Sequence, residues 1–136
     1  MIILDTSVLY AYAVRTDPRN TVAAAFVDQN EGAFIISPYV VAEIDYLIAT
    51  RFGVRDELAV LQGIASGNFE LPVLAAPDLI DCAGLIERYS DHEIGVADAS
   101  LVVLAHRYQT RKIATFDRRH FSILKTFEGE SFELLP

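Results

Sequence analysis

Four acidic residues stand where a carboxylate is costly or conspicuous: Asp5, Glu43, Asp98 and Asp117. Asp5 directly follows the apolar run Ile2-Ile3-Leu4, and Asp117 follows Ile113-Ala114-Thr115-Phe116. Both therefore belong at the carboxyl ends of short strands. Asp98 lies in a stretch that is apolar almost all round and shares a helical face with Leu101 and Ala105. Glu43 borders the stripe of Val40, Ile44 and Leu47, a position that leans toward the core. Each residue has a plain structural explanation. Asp5 can cap a helix beginning near Ser7, and Asp98 can cap its own helix. Glu43 can sit at a rim, and Asp117 in a turn. Taken together, four carboxylates beside apolar segments point to one cluster. Burying an unpaired carboxylate is expensive and gathering several adds repulsion, so a divalent cation is the natural remedy. All candidate donors are oxygens, which suits Mg²⁺ or Mn²⁺. His92, His106 and His120 lack a zinc spacing, and a single cysteine cannot build a thiolate site. The chemistry that fits is phosphodiester hydrolysis, in which a metal lowers the pKa of a water and stabilises developing charge.

The elements that must position these residues alternate between strands and helices. Strands are expected at 2–4, 33–36, 112–116 and 131–135, with a further one over 69–73. Helices are expected at 18–30, from Pro38 to Gly53, at 54–65, 77–89 and 96–108. Ser37-Pro38 reads as a cap followed by proline at the first helical position. The alternation argues for an α/β fold, a mostly parallel sheet with helices on both faces. In such sheets ligands gather beyond the carboxyl ends of the strands, at the point where strand order reverses.

With 136 residues, a hydrophobic fraction of 52% and no repeats, the chain suits a single domain over 1–136. No apolar run approaches the ~20 residues of a membrane span, and the first residues lack the basic flank of a signal peptide. Cys82 excludes an internal disulfide and reads as a small buried side chain. A cytoplasmic location fits these features. The net charge of −8 disfavours nucleic acid at first sight. However, Arg107, Arg111, Lys112, Arg118, Arg119 and Lys125 are opposed between positions 106 and 125 only by Asp117, so that segment carries +5 and the remainder −13. A basic strip on an acidic protein, or a solvated helix end and turn, are both open readings.

The chain resembles the VapC toxins of bacterial toxin–antitoxin pairs, which are PIN-domain ribonucleases. The likeness rests on Ile3-Leu4-Asp5-Thr6-Ser7, Ser37-Pro38-Tyr39-Val40-Val41-Ala42-Glu43, Gly95-Val96-Ala97-Asp98-Ala99 and Thr115-Phe116-Asp117-Arg118-Arg119-His120-Phe121, in order across the whole chain. It implies a PIN-like three-layer sandwich whose mostly parallel sheet has about five strands. It also implies Mg²⁺ or Mn²⁺, a homodimer and a cognate VapB-type antitoxin. The RNA substrate it suggests is the sarcin–ricin loop of 23S rRNA, while other branches cut transfer RNA. Asp5, Glu43 and Asp98 would hold the metal, and Asp117 would complete the site or hold a second ion. Thr6 and Thr115 would hydrogen-bond the carboxylates or a metal-bound water, and Arg118 and Arg119 would meet RNA phosphates. His120 reads as a turn histidine. A receiver domain would need an acidic pair and a lysine in characteristic places. An aspartyl phosphatase would want a second aspartate where Ser7 stands. A non-catalytic RNA- or protein-binding module of the same fold is the remaining alternative.

Overall fold

The computed structural model describes all residues, Met1–Pro136. Strand β1 (Ile2–Leu4) leads through Asp5 into α1 (Thr6–Ala13), then α2 (Asn20–Gln29) and β2 (Phe34–Ile35). Helices α3 (Pro38–Phe52), α4 (Val54–Ser66), α5 (Ala76–Arg88) and α6 (Val96–Arg107) follow. The chain ends in β3 (Lys112–Ala114), the short α7 (Arg118–Phe121) and β4 (Glu133–Leu135). All four strands are parallel, in the order β2-β1-β3-β4. The strand expected over 69–73 shrinks to one bridge, Ile35 to Glu70. Glu70 exchanges both backbone hydrogen bonds at the β2 edge, with Phe34 O and Ile36 N. Two residues on, Pro72 has no N–H to extend the ladder.

The topology positions the chemistry. From β1 the chain moves to one side to form β2, then returns to the other side to form β3. The reversal lies between β1 and β3, and Leu4 pairs with Ala114 there. The next residues, Asp5 and Thr115, therefore emerge side by side at the carboxyl ends of adjacent strands. Helix α6 is buried continuously from Ala99 to Ala105, which accounts for its unbroken apolar sequence. It packs against β1, α3 and α5.

Two local devices fix the helices. Gly53 adopts φ 95° between α3 and α4, a left-handed value that favours glycine. Ser37 caps α3, its Oγ accepting from Tyr39 N at 3.2 Å. The same hydroxyl meets Ser100 Oγ at 2.7 Å, and Ser100 in turn donates to Ala97 O at 2.6 Å. Both serines are completely buried. This strut ties the start of α3 to α6, the two helices that carry Glu43 and Asp98. Ser100→Ala strands the buried Ser37 hydroxyl, so it should cost about 1–3 kcal/mol. A denaturant midpoint unchanged from the parent would show that the strut does not stabilise the fold.

Cys82 faces the core, and burial, reinforced by Asp78 and Asp81, pushes its thiol up to about 11. It is a packing residue with negligible thiolate at neutral pH. No helix is long and apolar enough to cross a membrane.

Candidate active site

Asp5 is 7% exposed and all three donors it accepts from fall on one oxygen. Ser7 Oγ donates to Oδ2 at 2.7 Å, Thr115 Oγ1 at 2.8 Å and Ser7 N at 3.4 Å. The last contact is an N-cap, so Asp5 does start α1 as the structural reading allows. The arrangement leaves Oδ1 for another partner. Thr115 also accepts from Asp117 N at 2.9 Å, and Ser7 Oγ accepts from Phe116 N at 2.9 Å. Two hydroxyls thus bind the end of β1 to the turn after β3.

Asp98 occupies the first turn of α6. Its Oδ2 accepts from Gly95 N at 3.4 Å and lies 3.1 Å from His120 Nδ1. Burial, then the negative charge of Asp5, raises its carboxyl above the ordinary value, with Glu43 adding to the rise. The Gly95 N–H and His120 oppose it. Asp98 therefore feels both Asp5 and Glu43, although they come from separate elements. Asp117 is more open, its side chain 41% exposed, and its Oδ2 lies 4.0 Å from His120 Nδ1. One imidazole, only 15% exposed, links the two aspartates.

The four acidic residues thus lie around the strand reversal, Asp98 joined to Asp117 through His120 and influenced by the charges of Asp5 and Glu43. They do not close on it: no three Asp, Glu, His or Cys side chains converge to metal-ligating distance. The donor chemistry still suits a hard cation. The desolvated Asp98 and the second oxygen of Asp5 are complementary to positive charge. Mg²⁺ in particular keeps several waters and needs only one or two carboxylates in direct contact.

Several sequence expectations are corrected. Glu43 is exposed, because Val40, Ile44 and Ile48 supply the buried ridge of α3 and Glu43 lies outside it. Thr6 Oγ1 is buried and hydrogen-bonds none of the four carboxylates, which leaves a metal-bound water as its expected partner. Ser7, two residues after the cap, makes the bond instead, as an N-cap aspartate dictates. His120 is more than a turn residue. It stands three positions after Asp117, the N-cap of α7, and that spacing is visible in the sequence.

The basic strip is largely consumed by internal partners. Arg107 pairs with Asp78 at 2.8 Å and Arg111 with Glu130 at 3.3 Å. Lys125 Nζ donates to Ser131 Oγ at 2.9 Å. Arg118 donates to the Pro136 carbonyl at 3.2 Å and reaches that of Leu134 at 3.5 Å, which braces the C-terminal strand. Arg119 is exposed beside Asp117.

Comparison with known proteins agrees with this architecture. The PIN-domain family model matches residues 2–125. The chain is 47% identical over 134 residues to Ribonuclease VapC26 of Mycobacterium tuberculosis, covering 98% of this chain and 99% of that protein. Its fold is similar to that of M. tuberculosis VapC20, a sarcin–ricin loop cleaving toxin. The TM-score is 0.80 at 20% identity, over 86% of this chain and 90% of that one. It is also similar to VapBC2 from Rickettsia felis bound to a DNA fragment from their promoter. There the TM-score is 0.68 at 19% identity, over 100% of both chains.

Proposed function

This chain belongs to the PIN-domain family and, within it, to the VapC ribonucleases, and on that premise we propose that it is the toxin of a toxin–antitoxin pair, a Mg²⁺- or Mn²⁺-dependent endoribonuclease. The observation that carries the reading is the strand reversal, where buried Asp5 is pinned by Thr115 from the neighbouring strand end and partly buried Asp98 feels the charges of Asp5 and Glu43. Asp5, Asp98 and Glu43 hold the cation directly or through water, and Asp117 completes the site. A divalent ion there supplies a water of lowered pKa and stabilises charge on the phosphate. The chain's own residues prepare that place. Thr115 and Ser7 pin one oxygen of Asp5, so its other oxygen is held in a fixed direction. His120 sets Asp98 against Asp117. Arg119, the unpaired cation next to Asp117, meets the phosphate backbone.

The substrate is structured RNA, with the sarcin–ricin loop of 23S rRNA as the first candidate and transfer RNA as the second. The partner is a VapB-type antitoxin that covers the acidic site, and the active species is a homodimer in the cytoplasm. The test is direct. Purified protein should cleave total RNA with Mg²⁺ and stop with EDTA, and mapping the new ends identifies the target. Absence of metal-dependent cleavage would reduce the protein to a non-catalytic binding module of the same fold.

A further inference from the structure

The segment between α1 and α2 brings a cation, which neither composition nor spacing marks, onto the turn after β3. The Arg19 guanidinium carbon lies 4.9 Å from the centroid of the Phe116 ring. Phe116 stands between Thr115, which binds Asp5, and Asp117. Its backbone is fixed as well, because Phe116 N donates to the Ser7 hydroxyl that holds Asp5. A single chain of contacts therefore runs from the Asp5 carboxylate through Ser7 and Phe116 to Arg19.

Arg19 is held from a second direction by Asp17. Its Nε donates to Oδ1 at 3.3 Å, its Nη2 to Oδ2 at 3.4 Å, and its backbone N to Oδ1 at 2.8 Å. The Asp17 carboxyl is correspondingly lowered, first by the side-chain bonds from Arg19. These contacts use Nε and Nη2 and leave the two N–H groups of Nη1 for another acceptor. The side chain remains 47% exposed. Stacking and pairing favour the orientation seen here, which lowers the ordering a ligand must supply.

A polyanion approaching this site faces a net charge of −8 and four clustered carboxylates. Of the cations near Asp117, Arg118 is engaged with the C-terminal carbonyls. Asp17 offsets the charge of Arg19 at long range, but it does not occupy the directed donors of Nη1. Arginine recognises phosphate through such donors as much as through charge.

We propose that Arg19, mounted on the Phe116 ring, is a positioning residue that grips an RNA phosphate flanking the bond to be cut and seats the strand against Asp117. This assignment rests on the nuclease reading above. The interaction is with the RNA backbone and carries no base information, so it is general to RNA.

The experiment measures binding of a single-stranded uridine oligonucleotide across a salt series, using full-length protein in the uncleaving Asp5→Asn background. The variants are Arg19→Ala, Arg19→Lys, Phe116→Leu and Arg118→Ala. Removing one cation that neutralises a phosphate should flatten the log–log salt slope by about 0.7. We expect that change for Arg19→Ala, a smaller loss of affinity for Phe116→Leu, and no change in slope for Arg118→Ala. Lysine at position 19 keeps a charge for Asp17 but lacks the planar fork, so it should preserve the melting temperature without restoring full affinity. Wild-type slope and affinity in Arg19→Ala overturns the proposal and leaves the nuclease reading intact. Full recovery by lysine overturns the role of the stacked guanidinium. An oligonucleotide that does not bind the Asp5→Asn protein, together with no cleavage by the parent, overturns both.

Discussion

Asp98→Asn is expected to remove RNA cleavage and to leave the protein folded, with metal-free stability equal to or above that of the parent. Asp98 is partly desolvated and repelled by Asp5 and Glu43, so its charge costs the folded protein free energy when no cation is bound. Asparagine keeps the shape, and its oxygen can still accept from Gly95 N and His120. What it loses is the anionic donor. Substitutions in the outer shell of a metal site typically cost 10–100-fold. On the proposed reading Asp98 touches the ion, so its loss should exceed about a hundredfold, or ~2.7 kcal/mol of transition-state stabilisation. Asp5→Asn should be equally inactive for a different local reason. Asp5 Oδ2 gathers three donors, and asparagine remains a competent N-cap, so the fold should again survive. Cleavage assays at saturating Mg²⁺, paired with melting curves, separate loss of chemistry from loss of fold. Full activity in either variant would remove that residue from the metal site.

Much of the arrangement is legible from the chain because it follows from local rules. Ile2-Ile3-Leu4 and Ile113-Ala114 are short apolar runs, each followed by a polar residue, which fits buried strands. Asp5, directly after the first, must emerge at the sheet's carboxyl edge, with Asp117 three residues past the second. Ser37-Pro38 announces the start of α3, and the seamless apolar run after Asp98 announces a buried helix. What the sequence hides is set by partners distant along the chain. Glu43 is exposed because only one ridge of α3 meets the core, and periodicity alone does not say how wide that ridge is. The strand expected near Phe69 fails at Pro72, a local signal that outweighs the apolar pattern. Arg118 and Arg119 look alike in sequence, yet only Arg118 is bound, by carbonyls at the far end of the chain. Arg19 and Phe116 are far apart in the chain and meet only because the start of α2 lies beside the turn after β3.

Mg²⁺ or Mn²⁺ should raise the melting temperature of the parent protein, and the gain should grow with pH. An ion that binds only the folded state stabilises it by about 2.7 kcal/mol at a hundred times its dissociation constant. For a domain of this size that corresponds to a shift on the order of 10 °C. The pH dependence follows from Asp98, whose carboxyl is raised by burial and by Asp5. Just above the ordinary aspartate value of about 3.9, the folded protein holds a proton there that the unfolded chain has already released. The folded state then binds more protons than the unfolded one, so without metal this group's contribution to stability falls as pH rises through that window. The ion must displace the same proton, so its stabilising effect is small in acid and full once Asp98 is ionised. Replacing all four acids by their amides (Asp5→Asn, Glu43→Gln, Asp98→Asn, Asp117→Asn) should abolish both the metal response and its pH dependence. The variant itself should melt no lower than the metal-free parent at neutral pH, because the mutual repulsion is gone. Equal metal-induced shifts in the two proteins would place the ions elsewhere on the acidic surface. A shift that is constant across the acid range would show that Asp98 is not among the ligands.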